Sequence, residues 1–283
     1  MTSFSPVHTI RGPVAVGDLG TVLMHEHVFV LSEEFRRSMP ETWDEEERVA
    51  DAVTRLKALA ATGVTTIVDP TVIGLGRDVR RVALVNEQVD LHVIAATGIR
   101  ASFLKCAIEQ ELTPGVERVM RAVARAHLRT GAPITVHTNA AARTGLTAQE
   151  VLRDEGVDLG AVVIGHSGDT ADLDYLHRLT DNGSYVGMDR FGLDVLLPAD
   201  QRVATVAALA HEGLADRMVL SHDASCHIDW FPPGVREEIA PNWHHTHLHD
   251  QVLPALRSSG VTEADITTML VDNPRRYFTP PGA

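Results

Sequence analysis

Short apolar runs alternate along the chain with longer segments in which apolar residues recur every three or four positions. Most of the short runs are continuous rather than alternating, which is typical of strands covered on both faces, as in a parallel sheet. They predict eight strands, at residues 21–29, 65–69, 91–96, 103–107, 133–138, 161–165, 185–189 and 218–221.

The longer segments between these runs have the spacing of amphipathic helices. They predict helices at residues 44–62, 114–130, 147–155, 169–181, 198–211, 247–259 and 263–271. Thr113 and Pro114 suit the cap and first turn of the second helix, and Gly131 suits its end. Strands that alternate with helices predict an α/β fold, a (β/α)8 TIM barrel, formed by residues 1–283 as a single domain.

The third and fourth predicted strands are joined by only six residues, 97–102. Two neighbouring parallel strands need a crossover of about a dozen residues or more. Three explanations remain open. One of the two strands is wrongly predicted, or the barrel is distorted or incomplete at this point, or residues have been omitted from the sequence.

Histidines and an aspartate stand where several of these strands end. His25 and His27 close the first strand, His137 the fifth and His166 the sixth, and Asp223 follows the eighth. Side chains of a strand repeat with period two, so His25 and His27 are expected to point to the same side. The carboxyl ends of barrel strands form one face, and imidazole and carboxylate groups converging there predict a metal site. Each residue alone also fits a plainer role, as a loop anchor or a surface residue.

Lys105 lies within the otherwise apolar fourth strand. Its ammonium group could reach the surface along the apolar stem, which is the usual arrangement. Alternatively, burial lowers the pKa of the amine, and a neutral amine can capture carbon dioxide as a carbamate. A carbamate is an anionic ligand whose two oxygens can bridge two metal ions. The sequence alone leaves both interpretations open.

Charge and cysteine content narrow the classes of partner and compartment. The 283-residue chain has a formal net charge of -13, which argues against a nucleic acid or an anionic membrane surface as partner. The two cysteines, Cys106 and Cys226, form no disulfide framework, so we expect a reducing, cytoplasmic setting. We recognise neither a signal-peptide pattern nor an apolar run of about 20 residues that would span a bilayer.

Several longer motifs surround the candidate ligands and follow one another over nearly the whole chain. They are residues 11–13, 23–29, 104–106, 112–126, 130–134, 137–138, 164–170, 187–194, 221–223 and 272–278. In these motifs the chain resembles the phosphotriesterase family of the amidohydrolase superfamily, and in particular its phosphotriesterase-like lactonase branch.

The resemblance implies a centre with two divalent metal ions. The buried ion would be held by His25, His27 and Asp223, and the more exposed ion by His137 and His166. Lys105 would bridge the two ions. The bridging lysine would be carboxylated by CO2 and would share its role with a hydroxide. Zinc suits so many histidines, with cobalt, iron or manganese as alternatives.

Two more residues take roles from the resemblance. In the lactonase branch an arginine follows the aspartate that ends strand seven, as Arg190 follows Asp189 here, whereas phosphotriesterases proper typically have histidine. A plainer role for Arg190 is an ion pair with a nearby carboxylate such as Asp194. Trp230 matches an aromatic wall of the leaving-group pocket, and it could equally pack in the core or in a dimer interface.

The implied activity is the opening of lactones, including N-acyl homoserine lactones as in quorum quenching, with promiscuous hydrolysis of organophosphate triesters. Asp223 would act as general base and Arg190 as a catalytic and substrate-binding residue. The resemblance also implies a homodimer. A carboxylic ester or amide hydrolase with the same metals remains an alternative, as does a non-catalytic metal-binding homologue.

Three features lie outside this pattern. The family carries a long loop, a helix and a pocket-lining aromatic residue where this chain has only residues 97–102, so about one βα crossover is missing. The histidine-rich stretch 243–249 offers only His245 and His249 on one helix face, so we expect it to be solvated or to pack a loop. Glu26 should point away from its neighbouring histidines and anchor the structure.

Overall fold

A computed structural model describes residues 6–39, 43–96 and 101–279 of the chain. Its strands are β1 Val7–Thr9, β2 Gly12–Val14, β3 Val22–Leu23, β4 His27–Val30, β5 Thr66–Asp69, β6 His92–Ala95, β7 Leu104–Ile108, β8 Ile134–Thr138, β9 Val162–Gly165, β10 Tyr185–Met188, β11 Met218–Leu220 and β12 Ser225–Ile228. Its α-helices are α1 Glu33–Ser38, α2 Glu45–Ala61, α3 Val79–Asn86, α4 Pro114–Thr130, α5 Thr144–Asp154, α6 Leu173–Asp181, α7 Ala199–His211, α8 Val235–Ile239, α9 Leu253–Ser258, α10 Glu263–Thr267 and α11 Asn273–Phe278.

The predicted helices are present, and their ends differ from the prediction by a few residues. α4 agrees at both ends, because the Thr113 side chain accepts a hydrogen bond from Val116 N and Gly131 ends the helix with φ 71°. The last two predicted helices contain π-helical turns at Leu248–Val252 and Thr268–Asp272. None of the helices in the described ranges combines the length and the apolar character that a membrane span requires.

Eight parallel strands form the barrel, in two sheets that meet at both edges. β3, β5 and β6 form one sheet, and β7, β8, β9, β10 and β11 form the other. A parallel bridge between Ala96 and Phe103 joins β6 to β7, and Met24 N donates to Leu220 O at 3.5 Å where β3 meets β11. The predicted (β/α)8 barrel is therefore confirmed, with a distortion between its third and fourth strands.

The register at that distortion explains why a short connection suffices. Phe103, just before β7, lies beside Ala96, just after β6. β7 therefore begins beside the end of β6, and the chain does not have to return along the sheet as a full crossover does. The predicted connection 97–102 falls partly on residues 97–100, which lie outside the described residues.

The first predicted strand, residues 21–29, is wrong as one continuous element. β3 ends at Leu23, and β4, which starts at His27, leaves the barrel to pair in parallel with β12. His25 lies between them, so the period-two argument that placed it beside His27 does not apply. The segment is hydrogen-bonded on both sides here, to β5 through Glu26 N and Val68 O at 2.9 Å and to the chain that follows β11 through Asp223 N and His25 O at 3.0 Å.

Side chains along the barrel strands alternate between the interior of the barrel and the surrounding helices, so the buried apolar residues form two clusters. The inward-facing residues form one buried cluster, which includes Met24, Val68, Ile94, Val163 and Val219 together with Tyr277 and Phe278 of α11. Their neighbours in sequence belong to a second cluster that packs against the helices, including Leu23, Ile67, Val93, Ile164 and Leu220. The apolar barrel interior leaves the polar chemistry to the carboxyl ends of the strands.

Candidate metal centre

Three candidate ligands meet at the ends of the first and last barrel strands. His25 Nε2 lies 3.3 Å and His27 Nε2 lies 3.1 Å from the same oxygen, Oδ1 of Asp223. The amine Nζ of Lys105, on β7, is 3.5 Å from His25 Nε2. Although His25 and His27 do not share a strand, their ring nitrogens therefore converge on one carboxylate, with the lysine amine beside them.

The second pair of histidines lies next to this group. His166 Nε2 is 2.9 Å from His137 Nδ1, and the rings of His25 and His166 lie 4.8 Å apart. Lys105 pairs with Thr135 across the β7–β8 ladder, so it faces the same side as His137, two positions further along β8. The structure brings all six predicted ligands to one end of the barrel.

Asp189 joins the two groups and was missed as a functional residue by the sequence analysis. One of its oxygens lies 3.2 Å from His25 Nδ1, and the other lies 3.0 Å from His166 Nδ1 and accepts from His166 N at 2.8 Å. Its position directly after β10 was the available signal, because strand ends face the site.

The other two histidines also have an oxygen partner on the nitrogen that faces away from the centre. His27 Nδ1 lies 2.6 Å from Thr71 Oγ1, which in turn hydrogen-bonds Asp69. His137 Nε2 contacts the carboxylate of Glu109. Such partners fix the orientation of the ring and leave its inner nitrogen available to a metal. Asp69 ends β5 and Glu109 directly follows β7, so both carried the same strand-end signal as Asp189, whereas Thr71 lies two residues beyond its strand.

Burial gives most of these groups the protonation state that metal ligation needs. Burial and the nearby Lys105 lower the pKa of His25 to about 4, and burial likewise lowers those of His137 and His166. Burial also lowers the pKa of Lys105 to about 8, which eases formation of a neutral amine. For His27, burial lowers the pKa, but hydrogen bonds to Asp223 and Asp69 outweigh it and raise the value to about 9.

Arg190 contacts the centre directly. Its Nε donates to Asp223 Oδ2 at 2.8 Å, and a terminal nitrogen donates to Asp169 at 3.0 Å. The other oxygen of Asp169 accepts at 2.8 Å from Arg202, which is buried. The plainer role, an ion pair with a nearby carboxylate, is therefore present, but its partners are Asp223 and Asp169, whereas Asp194 accepts from Asn242.

Two candidate ligands have unusual backbone conformations. His166 has φ 62° and Asp223 has φ 56°, in the left-handed region that costs an L-residue free energy. Strained backbone of this kind is concentrated at functional sites.

The Asp223 carboxyl group is held in its ionised form. Burial acts to raise the pKa of Asp223, but the charges of His25 and Arg190 outweigh burial and hold the pKa well below the usual range.

Trp230 and the histidine-rich stretch have different environments. Trp230 follows β12 and is 58% exposed, so core packing is wrong for it. His245 is buried, with Nε2 3.3 Å from His27 O, and Trp243 Nε1 donates to His222 O at 2.9 Å. The stretch therefore packs against the ligand-bearing loops, as predicted, and His245 is not solvated.

The donor set fits two divalent ions. Four imidazoles, a carboxylate and an amine of lowered pKa converge, and His25, His166 and Asp223 each offer a ligand atom within 4.8 Å of the others. Histidine and carboxylate donors in this combination suit zinc and other transition metals. Within the part of the chain that the structure describes, no group of three such residues outside this cluster has metal-site spacing.

Known proteins are similar to this chain in both fold and sequence. The structure of the phosphotriesterase from Mycobacterium tuberculosis matches with a TM-score of 0.95 at 47% identity, covering 97% of this chain and 98% of that one. The phosphotriesterase homology protein of the same organism is 47% identical over 316 residues, 96% of this chain and 97% of the relative. An aryldialkylphosphatase of Saccharolobus solfataricus is 37% identical over 300 residues, 93% of this chain and 96% of the relative.

The comparisons also bear on the short connection between β6 and β7. Both alignments are longer than this 283-residue chain, so these relatives contain residues without a counterpart here. The family model described as "Phosphotriesterase family" matches residues 5–102 and 96–278, and its break falls on this connection. Because the two matched stretches cover nearly the whole chain, the protein belongs to the phosphotriesterase family of metal-dependent hydrolases.

Proposed function

We propose that this hydrolase is a binuclear-metal lactonase with a secondary activity toward organophosphate triesters. The observation that carries the proposal is the convergence of His25 and His27 on Asp223, with Lys105 on one side and the His137–His166 pair next to it. In this proposal His25, His27 and Asp223 would hold the buried ion, the His137–His166 pair would hold the exposed ion, and carboxylated Lys105 would be a ligand to both. Zinc suits this donor set, with cobalt, iron or manganese as alternatives.

Bound divalent ions supply a hydroxide near neutral pH and polarise the substrate's carbonyl or phosphoryl oxygen. The chain itself supplies orientation and proton transfer. Asp189 holds the rings of His25 and His166, and Arg190 holds Asp223 through one oxygen. The Asp223 carboxylate would act as a general base that accepts the proton of the attacking hydroxide, and it would then pass this proton outward to solvent.

Arg190 supports a lactone rather than a triester as the main substrate. Its guanidinium lies at the mouth of the barrel between Asp223 and Asp169, where it can also donate a hydrogen bond to a substrate oxygen. An arginine at this position is the mark of the lactonase branch. We propose N-acyl homoserine lactones among the substrates and exposed Trp230 as a wall for the substrate's departing portion.

Metal removal and reconstitution test this function. Chelator-treated protein should lose lactonase activity and regain it with zinc or cobalt. A panel of lactones, carboxylic esters, amides and phosphotriesters at fixed metal loading then ranks the substrates, with lactones expected first. Preferential cleavage of an ester or amide would favour a different hydrolase of the same superfamily. Protein that binds two ions and cleaves none of the panel would be a non-catalytic homologue.

Location and assembly remain proposals as well. We propose a cytoplasmic enzyme, which the two buried, unpaired cysteines Cys106 and Cys226 support. We also propose a homodimer, on the resemblance alone, and light scattering of the purified protein measures its mass directly.

A further inference from the structure

Glu26 has no part in the proposed mechanism, although it lies between two candidate metal ligands. Its side chain is 0% exposed. A carboxylate that is removed completely from water must recover its solvation through hydrogen bonds inside the protein. The groups that hydrogen-bond to the Glu26 carboxylate therefore show which part of the structure it holds in place.

The backbones of two ligand-bearing segments, residues 24–27 and 221–224, are hydrogen-bonded along their length. His25 N donates to Ser221 Oγ at 2.7 Å, and Asp223 N donates to His25 O at 3.0 Å. One step further, His27 N donates to Ala224 O at 2.8 Å. The segment that carries two histidine ligands is thus bound directly to the segment that carries Asp223.

The Glu26 carboxylate binds on both sides of Asp223. Its Oε1 accepts from His222 N at 2.9 Å and lies 2.7 Å from His222 Nδ1, and its Oε2 accepts from Ala224 N at 3.2 Å. Asp223, between these two residues, has the left-handed φ of 56°. A strained conformation persists only where its surroundings determine it, and Glu26 supplies three of the contacts that do so.

We propose that Glu26 is a positioning residue that holds Asp223 in register with His25 and His27, so that the buried metal subsite exists before the ion arrives. The inference rests on the proposed function of these three residues as ligands. Ligands that are already in place spend little free energy on ordering when the ion binds. Loss of Glu26 should therefore weaken metal binding even in a protein that remains folded.

The substitution Glu26→Gln separates this role from a general contribution to stability. The side-chain amide keeps the shape, but its NH2 group would face N–H donors of His222 or Ala224 instead of accepting from them. A matched control is Gln149→Ala, because Gln149 is also 0% exposed and its amide donates at 2.8 Å to Leu179 O and to Ser184 Oγ, on other elements.

The measurement is the zinc affinity of both subsites, by competition with a chromophoric chelator, with folding checked by circular dichroism. We expect Glu26→Gln to weaken one subsite by about 10- to 100-fold, the range seen when support of a metal ligand is lost. Gln149→Ala should keep both affinities even if its melting temperature falls. Wild-type affinity in Glu26→Gln, or an equal loss in the control, would overturn the inference.

Two further outcomes are informative. If Glu26→Gln does not fold, Ser221→Ala removes only the contact to His25 N, and a smaller loss of affinity at one subsite is expected from it. Unchanged affinity in Ser221→Ala would then count against the inference. Wild-type protein that binds no zinc would instead refute the proposed function itself, and the two failures are therefore distinguishable.

Discussion

At the scale of single residues, each candidate histidine ligand is held at the ring nitrogen that faces away from the centre. Asp189 holds two of the rings, Thr71 holds His27, and Glu109 holds His137. In His25, His137 and His166, whose pKa values are lowered, a proton on the outer nitrogen leaves the inner nitrogen as a lone-pair donor, whereas His27, with a pKa of about 9, must release a proton first. The site therefore needs little rearrangement to accept metal ions.

Lys105→Ala should abolish the bridge between the two subsites. We expect the variant to bind at most one zinc tightly and to lose more than about 100-fold in lactone kcat/KM, because the metal supplies the nucleophile. Short carboxylic acids, which can take the place of the proposed carbamate, should restore part of the activity. Elemental analysis and steady-state kinetics measure both effects, and an active Lys105→Ala variant without added acid would contradict the role of the lysine.

Arg190→Lys should keep the positive charge but lose the guanidinium geometry, which spans Asp223 and Asp169 at 2.8 and 3.0 Å. We expect lactone kcat/KM to fall about 10- to 100-fold, with zinc content unchanged, since the loss of hydrogen bonds to charged groups costs about 1.5–3 kcal/mol. Kinetics on metal-analysed samples provides the measurement. Full activity of the lysine variant would show that the guanidinium is not required.

At the scale of elements, the loop after β10 is fixed against the stretch that precedes α9. Gly192 has φ 92°, and a Cβ at this position would overlap the carbonyl oxygen of Asn242. The same loop carries Arg190, and Asn242 also donates to Asp194 at 2.9 Å. The position of Arg190 thus depends on contact between segments that are far apart in sequence.

Gly192→Ala should destabilise the protein far more than the same change at Gly213. Gly213 has a similar φ of 85° with nothing within 4 Å of the added Cβ, so it reports backbone strain alone, about 1 kcal/mol. We expect Gly192→Ala to cost at least about 2 kcal/mol more, because the contacting backbone must move. Urea unfolding measures both, and equal losses would argue against the close approach.

The elements show which parts of the fold and site were predictable. Helix α4 followed from its cap and periodicity, and the histidine and aspartate ligands followed from where the apolar runs end, whereas Lys105 was assigned only through the resemblance. The break between β3 and β4, the outlying strand β12 and the eight-residue helix α3 were not predicted. The first two depend on hydrogen bonds between segments distant in sequence, such as those of His27 and Ser225, whereas α3 has a capping residue, Asp78, that was overlooked.

Partners of the ligands were the least predictable part of the site. Asp69 and Glu109 lie in none of the motifs, and Asp189 lies in motif 187–194 without an assigned role; the contacts of all three arise only when the barrel forms. Because the carboxyl ends of barrel strands form one face, a residue at a strand end can be assigned to that face from the sequence. The sequence does not say which ring nitrogen of which histidine that residue contacts. Contacts of that kind are decided by tertiary structure.

At the scale of the whole molecule, the barrel closes although its third-to-fourth connection is six residues long. The bridge between Ala96 and Phe103 replaces a full ladder at that point. The structure of the phosphotriesterase from Mycobacterium tuberculosis has the same overall fold, with a TM-score of 0.95. The assignment of residues 1–283 to a single domain stays a prediction.

Buried neutral histidines should make the metal-free protein sensitive to acid. Burial lowers the pKa of His222 to about 3 and those of His245 and His247 to about 4, from the ordinary 6.5. Below about pH 6.5 the unfolded chain therefore binds more protons at these three histidines than the folded chain does, and the stability that they contribute above this pH is lost on acidification. Burial raises the pKa of Glu26 to about 8, which offsets part of this loss. Each histidine contributes about 1.4 kcal/mol per pH unit within that window.

Urea unfolding of chelator-treated protein at about pH 7.5 and about pH 5.5 checks this dependence. The urea concentration at the midpoint of unfolding should be clearly lower at the lower pH than at the higher pH. His247→Leu, which removes one of the buried imidazoles, should reduce that fall. Equal midpoints at the two pH values would mean that these histidines are not held neutral by the fold.

Anomalous diffraction at the zinc edge from crystals grown with zinc tests the binuclear centre most directly. We expect two zinc peaks at the carboxyl end of the barrel. One should lie among His25, His27 and Asp223 and the other beside His137 and His166, with added density on Nζ of Lys105 reaching both. A single peak or none within this cluster, or an unmodified Lys105 amine that contacts neither ion, would contradict it.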